Sequence, residues 1–164
     1  MVRFTGCAVS GQVQAICDLV ASTNVASVTS GSWNCSHGLP VTPVCVGSTS
    51  TWAGVTCKYG LVAQVNLKGL HLKGFLPTSI GGLSGLGALN LGSNSLTGTI
   101  PSTLSKLTGL TELSLESNSF SGTIPAAIGT LTGLQALEIG NNSLSGTVPS
   151  ALGGLSALTT LDIA

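Results

Sequence analysis

The chain has 164 residues, of which 43% are hydrophobic and only 6% charged, with five Lys and Arg against five Asp and Glu. Phosphate binding needs a basic surface, so this composition excludes nucleic acid as an expected partner. No apolar run approaches the roughly 20 residues that a membrane-spanning helix requires. Residues 1–5 are not followed by the apolar core of a secretory signal peptide.

The first 61 residues differ in composition from the remainder and predict a capping region over residues 1–61. Residues 12–21 place their apolar side chains on one helical face, which predicts a helix. Residues 31–33 break that pattern, and the segment WAGVTC follows at residues 52–57. This region holds every cysteine of the chain: Cys7, Cys17, Cys35, Cys45 and Cys57.

The cysteines give information on the cellular compartment of the protein. Disulfides persist in oxidising environments, so paired cysteines indicate a protein outside the cytosol. The odd number keeps open the alternative of buried, reduced thiols in a cytosolic protein. Two bridges among five cysteines admit several connectivities, and the sequence alone does not choose between them.

From residue 62 onward the sequence repeats with a 24-residue period. Complete units occupy residues 62–85, 86–109, 110–133 and 134–157, and a partial fifth unit completes the repeat region 62–164. A fixed period of this length predicts a solenoid of stacked units rather than a globule around a central core. The positions that keep the step are Gly74, Gly98, Gly122 and Gly146, then Pro77, Pro101, Pro125 and Pro149, and Leu67, Leu91, Leu115, Ile139 and Ile163.

Each unit predicts a short strand followed by a return segment. In the second unit Leu89 and Leu91 point inward on a period-2 strand, and one unit cannot bury such leucines alone. Copies therefore stack and pair their strands at roughly 4.8 Å into one parallel sheet on the concave side. After Pro101, residues 102–107 predict a short helical or 3₁₀ turn. Stacked amides predict a structural ladder that satisfies buried backbone groups, at Asn94, Asn118 and Asn142.

The repeat from Val62 onward fits LxxLxLxxNxLxGxIPxxLxxL and so resembles the plant-type leucine-rich repeat family. That resemblance implies an α/β, right-handed solenoid, with short parallel strands on the concave face and 3₁₀ or helical turns on the convex face. The first unit departs from the pattern, with Leu70 in place of the ladder asparagine and Phe75 and Leu76 before Pro77. Atypical end units are expected where an array meets its cap.

Residues 1–61 resemble the N-terminal cap of that family, which has a helix, a tryptophan and a cysteine pair around WxGVxC. The cysteine layout is most similar to that of polygalacturonase-inhibiting proteins. Carried over, this similarity implies the disulfides Cys7–Cys35 and Cys45–Cys57, and it leaves Cys17 unpaired on the helix.

The family resemblance also implies a function. It indicates a non-catalytic module that recognises a protein or peptide on its concave strands, as the N-terminal part of a cell-surface receptor or of a secreted protein in signalling or defence. Inward positions are committed to leucine packing, so contact residues are expected among the outward ones. The first expected contacts are Glu112, Ser114, Glu116, Glu138 and Asp162, followed by Gln64, Asn66, Lys68 and Asn90.

The acidic residues are unevenly placed and suggest the chemistry of the partner. Glu138 and Asp162 hold equivalent positions on adjacent strands, where like charges destabilise a sheet. Their placement predicts a basic or hydroxyl-rich partner, whereas the earlier units are neutral to basic, a polarity that orients an extended peptide. The alternative is that these carboxylates are simply solvated. A bound calcium ion is a further alternative, although no loop has calcium-binding spacing.

A second regular surface gives the rival hypothesis. Threonine and serine stack in register beside the repeated glycines, and flat hydroxyl arrays on ice-binding solenoids are similar. This array predicts ice or polysaccharide binding as the alternative function, although the first unit has Lys73 and Phe75 instead. The hydroxyl columns contain Thr97, Thr99, Ser121, Thr123, Ser145 and Thr147.

Catalysis has little support in the sequence. His37 and His71 are the only histidines, and neither lies at a spacing that pairs it with a nucleophile or a metal ligand. The expectation is therefore no enzyme activity, no cofactor and no metal site.

Further expectations concern modification and the chain ends. Sequons for N-glycosylation begin at Asn34 and Asn141, and they matter only if the chain is secreted. An extracellular protein without a signal peptide, and an array without a polar end unit, predict that the chain is a fragment. Its end leaves Leu158, Leu161 and Ile163 uncovered, which predicts self-association.

Overall fold

The computed structural model describes residues 10–29, 35–36, 39–40 and 44–164. The N-terminal part contains the helices α1 (Ser10–Ser22) and α2 (Val25–Val28). Short strands follow: β1 (Cys35–Ser36), β2 (Leu39–Pro40), β3 (Cys45–Val46), β4 (Thr49–Ser50), β5 (Val55–Lys58) and β6 (Leu61–Asn66). Helix α1 confirms the helix predicted over residues 12–21.

The repeats alternate strands with 3₁₀ helices. The strands are β7 (Lys73–Phe75), β8 (Ala88–Asn90), β9 (Ser95–Thr99), β10 (Glu112–Ser114), β11 (Ser119–Gly122), β12 (Ala136–Glu138), β13 (Ser143–Leu144) and β14 (Thr160–Asp162). The 3₁₀ helices are Thr78–Gly82, Ser102–Lys106, Ala126–Thr130 and Ser150–Gly154. Each follows a proline in extended conformation and buries one aliphatic side chain near its middle.

The first large sheet has six strands in the order β14-β12-β10-β8-β6-β5. Its strands are parallel except for the antiparallel pair of β5 and β6. The register advances one repeat per strand, so Val65, Leu89, Leu113 and Leu137 stack directly above one another. All four are almost completely buried, because alternation along each strand turns them toward the interior. The predicted fold class is confirmed.

A second parallel sheet, of four strands in the order β13-β11-β9-β7, lies on the flank that follows the asparagine turn. The leucine spacing predicted only the first sheet. Stacking at strand spacing brings every extended segment beside its copy in the next unit, so the second segment pairs as well. Its glycines adopt positive φ, from 77° to 105°, in the left-handed region that glycine enters without strain.

The N-terminal region closes the first edge of both sheets. Strand β5 covers β6 in the large sheet, and a bridge between Thr23 and Gly74 meets β7 in the flanking sheet. The Asn24 side chain accepts a hydrogen bond from Lys73 N at 2.6 Å and donates to the His71 carbonyl at 3.4 Å. Unpaired strand edges promote association, so these contacts protect the start of the array.

One hydrophobic core runs from the cap into the repeats. In the cap it includes Ile16 and Leu19 of α1 together with Trp52, each at most 2% exposed. The Gln12 side chain lies in this core and accepts a hydrogen bond from Val62 N at 3.1 Å. The cap is therefore packed against the first repeat as well as preceding it in sequence.

The cap contains the disulfides Cys17–Cys35 and Cys45–Cys57. The second pair is the one that the family resemblance implied. The predicted pair Cys7–Cys35 and the predicted free Cys17 are wrong. Helix α1 turns Cys17 to its buried face, where it is 4% exposed and its Cα lies 5.7 Å from that of Cys35, a normal disulfide separation. Cys7 lies outside the described residues.

Candidate functional site

The outward side of the six-stranded sheet forms the concave surface, which consists of three rows of residues. The outer row is Gln64, Ala88, Glu112, Ala136 and Thr160. The middle row is Asn66, Asn90, Ser114, Glu138 and Asp162. Backbone hydrogen bonds beyond the strand ends align an inner row of Lys68, Gly92, Glu116, Gly140 and Ala164. Every predicted contact residue therefore lies on this one surface.

An ion pair crosses the inner row. The Lys68 Nζ donates to Glu116 Oε1 at 2.7 Å, although the two residues lie two strands apart. Gly92 lies between them and makes this possible, since a Cβ there would come within 3.1 Å of the Glu116 Cγ. The hydrogen bond and charge of Glu116 raise the pKa of Lys68, with a smaller contribution from the charge of Glu138. Lys68 therefore stays positively charged, and its ammonium is paired with a carboxylate of the third unit.

Ser114, at the centre of the middle row, departs from the sequence expectation. It faces outward as predicted, but its exposure is 0%. Its Oγ makes no hydrogen bond within the described part of the chain. The position of a Cβ on Gly92 would lie 3.1 Å from this oxygen, so the hydroxyl lies beside the trough that the ion pair crosses. Ser114 is reached from solvent only if its neighbours move.

Other middle-row side chains bind their own backbone. The amide oxygens of Asn66 and Asn90 accept hydrogen bonds from the backbone N–H two residues later, at 3.3 and 3.1 Å. Asp162 Oδ1 does the same with Ala164 N at 3.3 Å. These local turns fix the three side chains on the surface. The Ser114 side chain is one carbon shorter than aspartate or asparagine and does not form this contact.

The acidic residues converge as the sequence predicted. Glu138 and Asp162 are direct partners on neighbouring strands, and both are half-buried. Glu112 lies in the outer row and is also half-buried. Within the described residues, Lys68–Glu116 is the only ion pair, so Glu112, Glu138 and Asp162 lack a neutralising contact. The surface carries an acidic half over the later units.

Each ladder asparagine binds its own unit to the preceding one. In Asn118, Oδ1 accepts from Leu96 N at 2.9 Å, while Nδ2 donates to the carbonyls of Leu91, Leu115 and Glu116 at 2.9, 3.1 and 3.2 Å. Asn94 and Asn142 repeat this pattern one unit earlier and one unit later. Each amide satisfies backbone groups where a strand turns, so these residues serve the scaffold of the surface.

The hydroxyl columns lie on the flanking sheet and differ from each other. Thr97, Ser121 and Ser145 donate to a glycine carbonyl of the preceding unit, at 3.0, 3.3 and 3.3 Å. That column is already committed to the protein's own backbone. The second column projects its side chains into solvent and contains Thr99, Thr123 and Thr147.

A groove of about 650 Å³, which the sequence analysis missed, lies between α1 and the first two units. Asp18 and Ser22 line one side, and Phe75, Leu76 and Thr99 line the other. Phe75 is 54% exposed. The signal for this groove in the sequence was Phe75, which stands where the later units have threonine.

The remaining predicted positions are scattered. His71 is exposed in the first strand-exit turn, and Asn141 is exposed at the corresponding turn of the fourth unit, each with positive φ. Asn34 and His37 lie outside the described residues. In the described ranges, no group of three or more His, Cys, Asp or Glu side chains is placed to hold a metal ion. No helix found there is both long and apolar enough to cross a bilayer.

Comparison with protein families agrees with the stacked geometry. A family model described as leucine rich repeat matches residues 62–120 and 108–164, more than half of the chain. The chain belongs to the leucine-rich repeat family. Sequence comparison with curated proteins gives no significant match.

Solved structures similar to this leucine-rich repeat chain are plant receptor ectodomains. The GASSHO1/SCHENGEN3 ectodomain from Arabidopsis thaliana, in complex with CASPARIAN STRIP INTEGRITY FACTOR 2, is 42% identical over 69% of the chain, with a TM-score of 0.68. The PEPR1–AtPEP1 structure is 30% identical over 92%, with a TM-score of 0.79. The present chain spans only 14% and 20% of those two proteins.

A shorter relative has a more similar extent. The BIR3–SERK2 complex from Arabidopsis thaliana matches at 31% identity over 92% of the chain and 79% of that chain, with a TM-score of 0.78. The likeness covers both the cysteine-containing cap and the repeats. The predicted relationship to plant receptor-kinase ectodomains is therefore confirmed.

Proposed function

We propose that this leucine-rich repeat chain is a non-catalytic module that binds a protein or peptide on its concave surface. The observation that carries the proposal is the set of carboxylates on the middle and outer rows, which have no ion-pair partner among the described residues. Structures with the same fold include ectodomains in complex with CASPARIAN STRIP INTEGRITY FACTOR 2, with AtPEP1 and in the BIR3–SERK2 assembly. These complexes support recognition of a peptide or of a second ectodomain.

The charge pattern favours an extended, basic partner. Lys68 lies at the start of the surface, whereas Glu138 and Asp162 adjoin each other near its end. Adjacent carboxylates repel each other, and a cation from a partner removes that repulsion. A chain lying across the strands meets the basic residue first and the carboxylates afterwards, which gives it a preferred direction.

The test is selection from a displayed random-peptide library against the immobilised protein, followed by affinity measurements on the selected peptides. The double variant Glu138→Lys, Asp162→Lys is expected to abolish binding while its circular dichroism spectrum stays unchanged. Asp18→Lys is the matched control, because it reverses an acidic residue on α1, away from the concave surface. If the selected peptides bind the double variant as well as the wild type, the proposal is wrong.

We also propose an extracellular location, as part of a cell-surface receptor or secreted protein. Two cap disulfides support it, because such bonds persist in oxidising compartments. The test is to express the chain behind a secretory leader and, separately, in the cytosol. Secretion with both disulfides formed and peptide binding intact is the expected outcome. A reduced cytosolic form that binds equally well and is equally stable contradicts the proposal.

The exposed column of Thr99, Thr123 and Thr147 gives a second candidate, binding to ice or to a polysaccharide surface. These side chains repeat with the unit spacing, and a regular hydroxyl array can match a regular lattice. The wild-type chain must then display thermal hysteresis or retention on a crystalline polysaccharide, and Thr123→Leu must reduce it. Thr159→Leu is the control, since that hydroxyl lies elsewhere and donates to the Gln135 carbonyl.

A further inference from the structure

Three residues at the centre of the concave surface define a subsite: Ser114, Glu116 and Glu138. We propose that this subsite receives an arginine side chain of the bound peptide, and that Lys68 occupies it in the unbound protein. The inference rests on the proposed function and specifies the ligand group and the residue that competes with it.

Glu116 has no side-chain neighbour in the inner row, because Gly92 and Gly140 lie on either side of it. Its Cγ lies 3.1 Å from the position of a Cβ on Gly92, and the Asp162 carboxylate lies over Gly140. Lys68 reaches Glu116 across Gly92. Once Lys68 withdraws, a cationic group of the ligand takes its place beside Glu116.

The hydroxyl of Ser114 is unused in the unbound protein. A buried polar group without a hydrogen bond is unfavourable, and such groups are rare in folded proteins. Ser114 is fully buried and unpartnered, whereas Asn66, Asn90 and Asp162 at equivalent positions bind their own backbone. Once the side chains that cover Ser114 move aside, a donor of the ligand supplies the hydrogen bond that the unbound protein lacks.

The internal ion pair between Lys68 and Glu116 is weak. The side chains of Lys68 and Glu116 are 49% and 23% exposed. Ion pairs with this exposure contribute little to stability, because solvent screens them and the side chains lose freedom. Lys68 is thus an occupant that a ligand can displace, and it returns to solvent on a flexible side chain.

The chemistry of the incoming group follows from the three acceptors. A guanidinium carries five N–H donors in a planar fork, enough for the Glu116 carboxylate, the Glu138 carboxylate and the Ser114 Oγ together. An ammonium offers three donors from a single point and matches this spread less well. The geometry therefore favours arginine over lysine at this position of the ligand.

The experiment uses two short Gly/Ser peptides, one with a central arginine and one with citrulline, which is nearly the same shape but uncharged. Each is titrated into ¹⁵N-labelled protein while amide chemical shifts are followed by NMR. The arginine peptide is expected to shift the amides of Gly92, Ser114, Glu116 and Glu138, and the citrulline peptide is not.

Substitution of Lys68 tests whether this residue competes with the ligand for the subsite. Lys68→Met is expected to tighten arginine-peptide binding about two- to fivefold, the range that breaking an exposed ion pair implies. Lys106→Met is the matched control, because it removes the same charge from the exposed 3₁₀ helix on the other side of the solenoid. This variant should bind the arginine peptide no more tightly than the wild type does. Ser114→Ala is expected to weaken binding about tenfold, as loss of a hydrogen bond to a charged group implies.

Three results overturn the inference: equal binding of the citrulline peptide, no tightening by Lys68→Met beyond that of Lys106→Met, or shifts confined to other parts of the molecule. The proposed function is judged separately by the library selection. The selected peptides can bind the concave surface with an affinity that stays the same when each arginine is replaced by citrulline. In that case the proposal of peptide recognition stands and the proposed arginine subsite is wrong.

Discussion

The cap and the repeats are stabilised by different means. The second, third and fourth repeats use the same contacts, namely a buried strand leucine, a ladder asparagine and a 3₁₀ helix after proline. The cap instead combines helix α1, two disulfides and single contacts such as Gln12 with Val62 and Asn24 with Lys73. Stability is therefore distributed along the repeats and concentrated in a few bonds of the cap.

This difference matters for the binding surface. The rows of the concave surface keep one register because each repeat copies the register of the last, so the scaffold requires little from any one outward residue. Outward positions are free to vary, and that freedom permits Lys68, Ser114 and the carboxylates on otherwise equivalent strands. The cap protects the first edge of the same sheet and keeps that register from being extended by another chain.

The largest expected effect is in the middle of the repeats. Leu113→Ala removes a fully buried side chain and should destabilise the protein by about 2–5 kcal/mol, from lost burial and a remaining cavity. Urea unfolding followed by circular dichroism measures this. Leu161→Ala is the control, because Leu161 holds the same repeat position but is 48% exposed. Equal losses in the two variants contradict the distributed core.

The next effect tests the cap. Replacing Cys17 and Cys35 together with alanine should cost about 2–4 kcal/mol, because the disulfide no longer restricts the unfolded chain. Thermal unfolding of the two forms provides the comparison. Replacing both Cys45 and Cys57 with alanine should lower the stability slightly less, since that disulfide spans 12 residues rather than 18. A larger loss from the shorter loop argues that local packing, rather than chain restriction, dominates.

The ladder gives a smaller effect within the repeats. Asn118→Ala should destabilise by about 1–3 kcal/mol, because buried backbone groups of two neighbouring units lose a partner. Asn118→Asp keeps the acceptor for Leu96 N and loses only the donor, so it should retain part of that stability at low pH, where the acid carries a proton. Denaturant midpoints of the two variants measure the difference. If the Asn118→Ala protein is as stable as the wild type, the asparagine ladder does not stabilise the fold.

The smallest effect separates scaffold from surface. Ser114→Ala removes an unpartnered buried hydroxyl and should change stability by no more than about 1 kcal/mol, toward greater stability. Differential scanning calorimetry detects the corresponding shift in Tm. Asn90→Ala is the matched variant at the equivalent position of the previous strand, and it should destabilise because Gly92 N loses its acceptor. A destabilised Ser114→Ala protein indicates that the hydroxyl has a partner.

Much of the fold was predictable because it is periodic. Leucine spacing predicted the parallel strands of the large sheet, the asparagines predicted contacts at the turns, and the prolines predicted the 3₁₀ helices. The flanking sheet was missed because its segments carry few leucines, and their pairing arises only when the units stack. The Cys17–Cys35 disulfide was missed because the family resemblance pairs cysteines by layout, whereas the fold pairs those that face each other.

The sequence also predicted which residues share the concave surface, but not their state. It placed Lys68, Ser114 and Glu116 on outward positions. It did not indicate that Ser114 is buried or that Lys68 and Glu116 form an ion pair. Their relationship depends on Gly92, whose missing side chain lets a residue of the first unit reach one of the third. Spacing along a chain does not encode contacts across two strands.

By itself, the sequence determined the family and the faces of each strand, because short-range periodicity dictates which side chains must be buried together. Only the tertiary structure decided the cap disulfide, the second sheet, the groove beside Phe75 and the covered Ser114. Each of these depends on distances between residues far apart in the chain, and those distances are set by the stacking of whole units.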